Sequence, residues 1–303
     1  MLDVVEEFVN KIISFGGFKR SEFSNRAYRK LLTGVKEMSN HDVVMISPLI
    51  KKYKSCDGEL IIDTTDNPKY GLKETAIKMK NLSNGAYSKG FKIVLFLYKV
   101  KDKTIPLGFG LLYKGSKTQE YITLDALSIL RNTFKFKPKM VLADGAFGTQ
   151  KITKRLDDYG MGFVIKGRKT YSLDKKKFKN QIQRGYGSKK GRLNNGVKVN
   201  IIKRPNRFFM TNRVSLADEE VLNTYDLRWK IEETFRALKS CLGLSRCQQH
   251  SIKAQEVYIF GCLAAYSIFE TVRDCSIYKV ANLFFSGDMV IDKSIMNEVF
   301  AMC

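Results

Sequence analysis

The sequence predicts an α/β fold in which a mixed β-sheet carries helices packed against it. Apolar runs of strand length recur at "GELIID" (58–63), "KIVLFLY" (92–98), "LGFGLLY" (107–113), "KMVLAD" (139–144) and "GFVIK" (162–166). Helical patterns separate the third run from the fourth (about 121–134) and the fourth from the fifth (about 149–159). Three closely joined strands followed by strand–helix–strand crossovers build a sheet of mixed direction. A long amphipathic stretch, "TYDLRWKIEETFRALKSCLGL" (224–244), then adds a further helix.

In chain order, residues 1–55 read as short helices of mixed charge. Residues 56–303 read as the sheet-bearing domain. Its course is interrupted at about 167–213 by a basic stretch rich in turn residues. Short alternating runs there, "VKVNII" and "RFFMTN", suggest a small β-rich insertion, with a solvated loop as the alternative. The long helix should start near Ser215, where Ser215 and Asp218 form a Ser-x-x-acid capping pattern, and stop at Gly243. After it, "VYIFGCLAAYSIF" reads as an apolar helix too short to span a bilayer, expected to pack beneath the sheet.

Composition narrows the function. A 44% hydrophobic fraction over 303 residues is enough to bury one large core or two modest ones. No run approaches 18 uncharged apolar residues, and "MLDVVEEFVN" is acidic without a signal-peptide pattern, so the chain is expected in the cytoplasm and away from membranes. Against 30 acids stand 53 Lys and Arg, a net charge of +23. A surface that basic repels itself unless it meets a polyanion, and nucleic acid is the usual one. The excess is local: fifteen cations and one acid, Asp174, lie between Lys166 and Arg207. The run Lys175, Lys176 and Lys177 is the densest part of it and is expected to meet DNA phosphates. Six scattered cysteines without a CxxC pair read as reduced thiols. Only two histidines are present, His41 and His250, so carboxylates must carry any demanding chemistry.

The long helix holds polar residues in an unusual place. At about 100° per residue, Tyr225, Arg228, Glu232 and Lys239 project onto one stripe about 60° wide, bordering the apolar stripe of Leu227, Ile231, Phe235, Leu238 and Leu242. Ordinary i,i+4 ion pairing of Arg228 with Glu232 would account for part of this. Glu233 projects about 100° away, toward solvent. Two further acids close predicted strands: Asp63 ends "GELIID" and Asp144 ends "KMVLAD". Either one alone fits a turn position. Together with Glu232 they could supply three hard oxygen ligands for Mg2+ or Mn2+. A pair of such ions suits phosphodiester chemistry.

These residues resemble a known family. An Asp after strand one, an Asp after strand four and a Glu on a later helix look like the RNase H-like fold of DDE transposases. Tyr225-x2-Arg228-x3-Glu232-x6-Lys239 matches the Tyr-Arg-Glu-Lys signature of a group of bacterial insertion-sequence transposases. "IIDTT" and "LADGAFGT" resemble that group's two aspartate motifs, and the resemblance covers about four-fifths of the chain. It implies that Asp63, Asp144 and Glu232 hold two Mg2+ or Mn2+ ions. It implies that Tyr225, Arg228 and Lys239 grip phosphates of the transposon end. It further implies cleavage and joining of element ends to target DNA, by a dimer or higher oligomer in a synaptic complex, in a bacterial cytoplasm at the nucleoid. The alternatives are a metal-dependent nuclease of the same fold without strand transfer and an inactive DNA-binding derivative. Asp66 is a rival first ligand. Some relatives hold a flipped base against a tryptophan of the insertion; here the lone tryptophan, Trp229, lies on the Glu helix, leaving Tyr171 or Tyr186 as substitutes.

Overall fold

The computed structural model describes residues 39–40, 42–69, 75–80, 85–182, 185–247, 250–272, 277–286, 294–295 and 299. The expected helices of residues 1–38 lie outside that set. Within it, β1 (Ser39–Asn40) and β2 (Val43–Met45) pair antiparallel, and α1 (Ser47–Tyr53) follows. The expectation of helices alone across 1–55 is corrected here. Val43, Val44 and Met45 are apolar, buried and hydrogen-bonded to Gly108–Gly110 of a neighbouring strand. Val44 O lies 2.6 Å from where a Cβ on Gly108 would stand, so only glycine admits this close pairing.

The central sheet follows from the apolar runs. β3 (Glu59–Pro68), β5 (Tyr87–Val100) and β6 (Lys103–Leu112) form an antiparallel meander, with the short β4 (Ile77–Lys80) on the start of β5. After α2 (Gln119–Ser128) the chain crosses to β7 (Met140–Ala143), and after α3 (Gln150–Asp158) to β8 (Gly162–Gly167). β7 pairs parallel to β3, Glu59 to Ile62 against Met140 to Ala143, and β8 pairs parallel to β7. The spatial order β6-β5-β3-β7-β8 puts the first strand of the motif in the middle, flanked by its antiparallel and parallel partners. This is the expected α/β architecture, a mixed sheet flanked by helices. Strands covered on both faces need continuous apolar runs, and Leu60–Ile62, Val94–Leu97 and Val141–Leu142 are buried accordingly.

The basic stretch folds as strands, not as a solvated loop. β9 (Ser172–Leu173) and β10 (Lys176–Lys177) form a tight hairpin, and α4 (Phe178–Gln181) follows. Its two-residue turn, Asp174 and Lys175, has φ of +49° and +67°, as a type I′ turn requires. β11 (Gly187–Arg192), β12 (Lys198–Arg204) and β13 (Arg207–Thr211) run antiparallel. β13 pairs with β8, so these strands extend the main sheet, with β11 at its edge.

The long helix is two helices. α5 (Asp218–Asp226) and α6 (Trp229–Ser240) meet at Leu227 and Arg228. Across the junction the amides of Leu227, Arg228, Lys230 and Ile231 bond three residues back instead of four, a short 3₁₀ stretch that overwinds the chain. The expected Ser215 cap is also corrected: Ala217 is the N-cap residue and Asp218 accepts from Asn200 Nδ2 at 3.1 Å. At the far end Gly243 has φ of +61° and ends the helical course as expected. The apolar tail helix, α7 (Ile252–Val272), is buried from Ala254 to Glu270 and packs on β6. The last described helix is α8 (Ile277–Ser286). Among the described residues no helix is long and apolar enough to cross a membrane.

Candidate active site

Parallel pairing of β3 with β7 brings Asp63 and Asp144 to the same level of the sheet. The expectation that Asp63 ends its strand is corrected: β3 runs on to Pro68, held by its antiparallel pairing with β5. Ile62 is paired with Ala143, and an aspartate follows each of them. Asp63 lies within the long β3, its Oδ1 accepting from the Thr64 amide at 2.7 Å. Asp144 leads into a 3₁₀ turn, Gly145–Phe147, after which Thr149 caps α3. Tyr171 secures that turn: its hydroxyl donates to Gly145 O at 2.6 Å. The tyrosine is thereby committed to the Asp144 turn. Tyr186, in contrast, is 65% exposed, with Arg204 against its ring.

The third acid arrives with α6, which packs against β3. Arg228 makes the connection. Its Nη1 donates to Asp63 Oδ2 at 2.6 Å and its Nη2 to Glu232 Oε1 at 2.5 Å. One guanidinium therefore bridges a strand carboxylate and a helix carboxylate. Because the 3₁₀ junction eclipses residues three apart, Tyr225 lies beside Arg228, whose guanidinium carbon is 5.7 Å from the ring centroid. The same ring packs edge-on against Phe209. Further along, Lys239 Nζ donates to Thr65 Oγ1 at 2.6 Å, two residues beyond Asp63 on the same face of β3. Glu233 points away and pairs with Lys230 at 2.7 Å. The rival Asp66 pairs with Lys92 of β5 at 3.2 Å, away from Arg228.

Charge and burial oppose each other here. Burial is the largest influence on Asp63 and pushes its carboxyl up to about 6, aided by Asp144 and Glu232; the Thr64 amide and Arg228 pull the other way and lose. Burial likewise raises the Tyr225 phenol to about 12, so it stays a neutral donor. The Lys239 ammonium is lowered by burial, with Asp66 partly restoring it.

Asp63, with Asp144 and Glu232 near enough to raise its carboxyl, completes a donor set of three carboxylates suited to hard divalent cations. As they stand they do not share a common point: among the described residues no three His, Cys, Asp or Glu side chains are gathered as a metal site. Arg228 stands between Asp63 and Glu232, and Lys166 of β8 lies 3.7 Å from Asp144. Beside them opens a cleft of about 300 Å³, lined by Lys166, Arg207, Tyr225, Arg228, Trp229 and Glu232. Trp229 is 51% exposed there.

The sequence pattern did not single out Lys166 as the counter-ion of Asp144, nor Arg207 in the cleft, nor Lys69. Lys69 is buried just past β3, and its Nζ donates to Ser245 O at 2.8 Å and Cys247 O at 2.9 Å. It ties the loop after α6 to the end of the strand that carries Asp63. Their only signal was adjacency to strand ends, which is too common among lysines and arginines to mark a site. Lys176 and Lys177 on β10 are exposed, and Lys175 occupies the turn of that hairpin.

Over residues 54–268 the chain matches the family model described as transposase DDE domain. No curated protein matches it in sequence. Among solved structures it is similar to a piggyBac transposase synaptic complex with hairpin DNA, at 14% identity and a TM-score of 0.48, covering 93% of this chain and 59% of that one. The chain thus spans about three-fifths of that transposase's length. It is also similar to the Drosophila P element transposase strand transfer complex (10% identity, TM-score 0.31, 98% and 77% covered). A third likeness is to endonuclease V of Bacillus subtilis (10% identity, TM-score 0.30, 70% and 93% covered).

Proposed function

This chain belongs to the transposase DDE domain family, and from that premise we propose that it cuts DNA at the ends of its own insertion sequence and joins those ends to target DNA. The observation that carries the reading is the bridging of Asp63 and Glu232 by one guanidinium, with Asp144 close enough to raise the Asp63 carboxyl. Asp63, Asp144 and Glu232 would hold two Mg2+ or Mn2+ ions. When bound, such ions activate an attacking oxygen and stabilise a leaving oxygen in phosphodiester cleavage and transesterification.

The chain's own residues bind and orient the DNA. Arg228 offers a planar fork to phosphate oxygens, Lys239 a point charge and Tyr225 a neutral hydroxyl donor. All three flank Glu232 on the side that meets β3, so one backbone can touch them together. The Tyr-Arg-Glu-Lys spacing supports membership of the insertion-sequence group with that signature. Exposed cations outside the cleft, Lys175 to Lys177 foremost, hold the flanking duplex without reading its sequence. This reading divides the chain into a segment 1–55 with DNA-binding potential and a catalytic domain 56–303 interrupted at about 167–213. It has the protein acting as a dimer or larger synaptic assembly in a bacterial cytoplasm.

The test is an incubation of the purified chain with DNA carrying both ends of its element, in Mg2+ or Mn2+, with a second duplex as target. Nicked ends and joined products are expected, and neither in EDTA. Cleavage without joining would make the protein a nuclease. Binding without cleavage would make it an inactive derivative.

A further inference from the structure

The residue expected to grip phosphate is already engaged with two carboxylates. Arg228 is 17% exposed and closes on Asp63 and Glu232 at 2.6 and 2.5 Å. Its third nitrogen is not satisfied: the buried Nε–H has no hydrogen-bond partner among the described residues. A buried guanidinium with one donor orphaned is an incomplete arrangement. Its backbone is also special, for Arg228 occupies the 3₁₀ junction where α5 passes into α6, and such mid-helix stretches serve as hinges. Lys166 faces Asp144 in a looser version of the same contact, at 3.7 Å with both side chains over 40% exposed.

From these observations we propose that Arg228 is a counter-ion latch: it holds Asp63 and Glu232 together in the metal-free protein, is displaced by the entering divalent cation, and is thereby released to a DNA phosphate. The proposal rests on the reading that these carboxylates hold the metal. Two carboxylates brought to one place repel, and a guanidinium fork neutralises both at once. A Mg2+ ion takes carboxylate oxygens at about 2.0–2.1 Å, and its double charge repels a guanidinium already held 2.6 and 2.5 Å from the same carboxylates. Once displaced, the guanidinium is without its two carboxylate acceptors and already lacked a third, and phosphate is the anion its geometry fits. Metal and DNA should therefore bind cooperatively, each removing an obstacle to the other.

The probe is Mn2+ alone, titrated into the full chain and followed by electron paramagnetic resonance. Removing the latch in Arg228→Gln should tighten Mn2+ binding by about tenfold or more, the size of an ordinary coupling between two sites. Arg228→Lys should fall between, since an ammonium spans one carboxylate at a time. Lys230→Gln removes the same charge from the helix surface and should leave affinity within about twofold, as a screened surface charge would. Asp63→Asn should weaken binding. An Asp63→Asn protein with undiminished affinity sinks the metal-site reading itself. If Asp63→Asn weakens binding while Arg228→Gln binds no more tightly than wild type, the latch alone is overturned. Should the Arg228 variants not fold, wild type decides: the Arg228 Nε–H resonance of 15N-labelled protein should move on adding Mg2+, and a resonance unmoved at saturation overturns the proposal.

Discussion

Around Asp63 the charges are held against one another, Arg228 on Asp63 and Glu232 at 2.6 and 2.5 Å and Lys166 on Asp144 at 3.7 Å, whereas along β10 and β11 cations face solvent with one acid, Asp174, among them. In the first region a single arginine serves two carboxylates and is four-fifths buried. In the second, Lys176, Lys177, Lys189 and Lys190 are exposed. Asp174, the acid of that stretch, spends its carboxylate on the Arg192 amide at 2.9 Å. Both regions are rich in charge, yet only one has its charges fixed in place by burial and by mutual geometry. Fixed charges suit chemistry on one bond. Free ones suit attraction along a whole polyanion.

The comparison breaks most visibly if the fixed charges prove dispensable. Asp144→Ala and Glu232→Ala should each lower cleavage by about a thousandfold or more, the equivalent of several kcal/mol of transition-state stabilisation. Circular dichroism should stay unchanged, because both side chains are over a third exposed. Near-normal cleavage by either variant would remove the metal assignment.

Next in size, Arg228→Ala and Lys239→Ala should slow cleavage by about a hundredfold, as the loss of one positioned donor does. Glu233→Ala, whose partner is the outward Lys230, should stay within about twofold of wild type, as expected for an exposed pair. Equal damage from all three would mean that the two faces of α6 have been told apart wrongly.

A smaller effect follows from the Asp63 carboxyl, pushed up to about 6 by burial against an ordinary 3.8. Protons then compete with metal below pH 6, so Mn2+ affinity should fall by up to about tenfold per pH unit from 6 toward 5. The stability effect has the reverse sign. Between pH 4 and 6 the folded protein keeps a proton that the unfolded chain has lost, so this group adds stability as pH falls through that window. A flat Mn2+ titration between pH 7.5 and 5 would place another group, not Asp63, on the metal.

The smallest effect concerns the free charges. Lys175, Lys176 and Lys177 changed together to Gln should weaken binding about equally on cognate and unrelated duplexes. The slope of log K against log salt should flatten by up to about three units, near 0.9 for each phosphate no longer neutralised. An unchanged slope would leave the hairpin as a solvated face, and the contrast between the regions would lose its functional meaning.

How much of this the sequence disclosed depended on how local the cause was. The five apolar runs became strands because a strand buried on both faces must be apolar throughout. Gly243 ended its helix because only glycine takes that backbone conformation cheaply. The split at Leu227–Arg228 was not legible, since every residue from Asp218 to Ser240 tolerates a helix and the contact that Arg228 makes with β3 joins residues distant in sequence. Residues 43–45 were misread for a similar reason: three residues give no periodicity, and what makes them a strand is the glycine-lined edge of β6. Asp144 was visible as a strand end, whereas Asp63, expected to close its strand, lies inside β3, which runs on to Pro68. The cations of neither acid were legible. Lys166 becomes the partner of Asp144 only after β8 lies beside β7, and Arg228 that of Asp63 only after α6 docks.

That last dependence has a temporal side. Asp63 and Arg228 are 165 residues apart in the chain. At about 5–20 residues per second, the ribosome delivers the arginine on the order of ten to thirty seconds after the aspartate. During that interval the nascent meander of β3, β5 and β6 carries an acid whose burial has no compensating cation. A protonated carboxyl or a delayed collapse of that corner is the cheapest resolution. Sheets with distant pairings are slow to close in any case. Synthesis itself thus orders the events: the scaffold condenses first, and the scissors are assembled only when the final third of the polypeptide has left the ribosome.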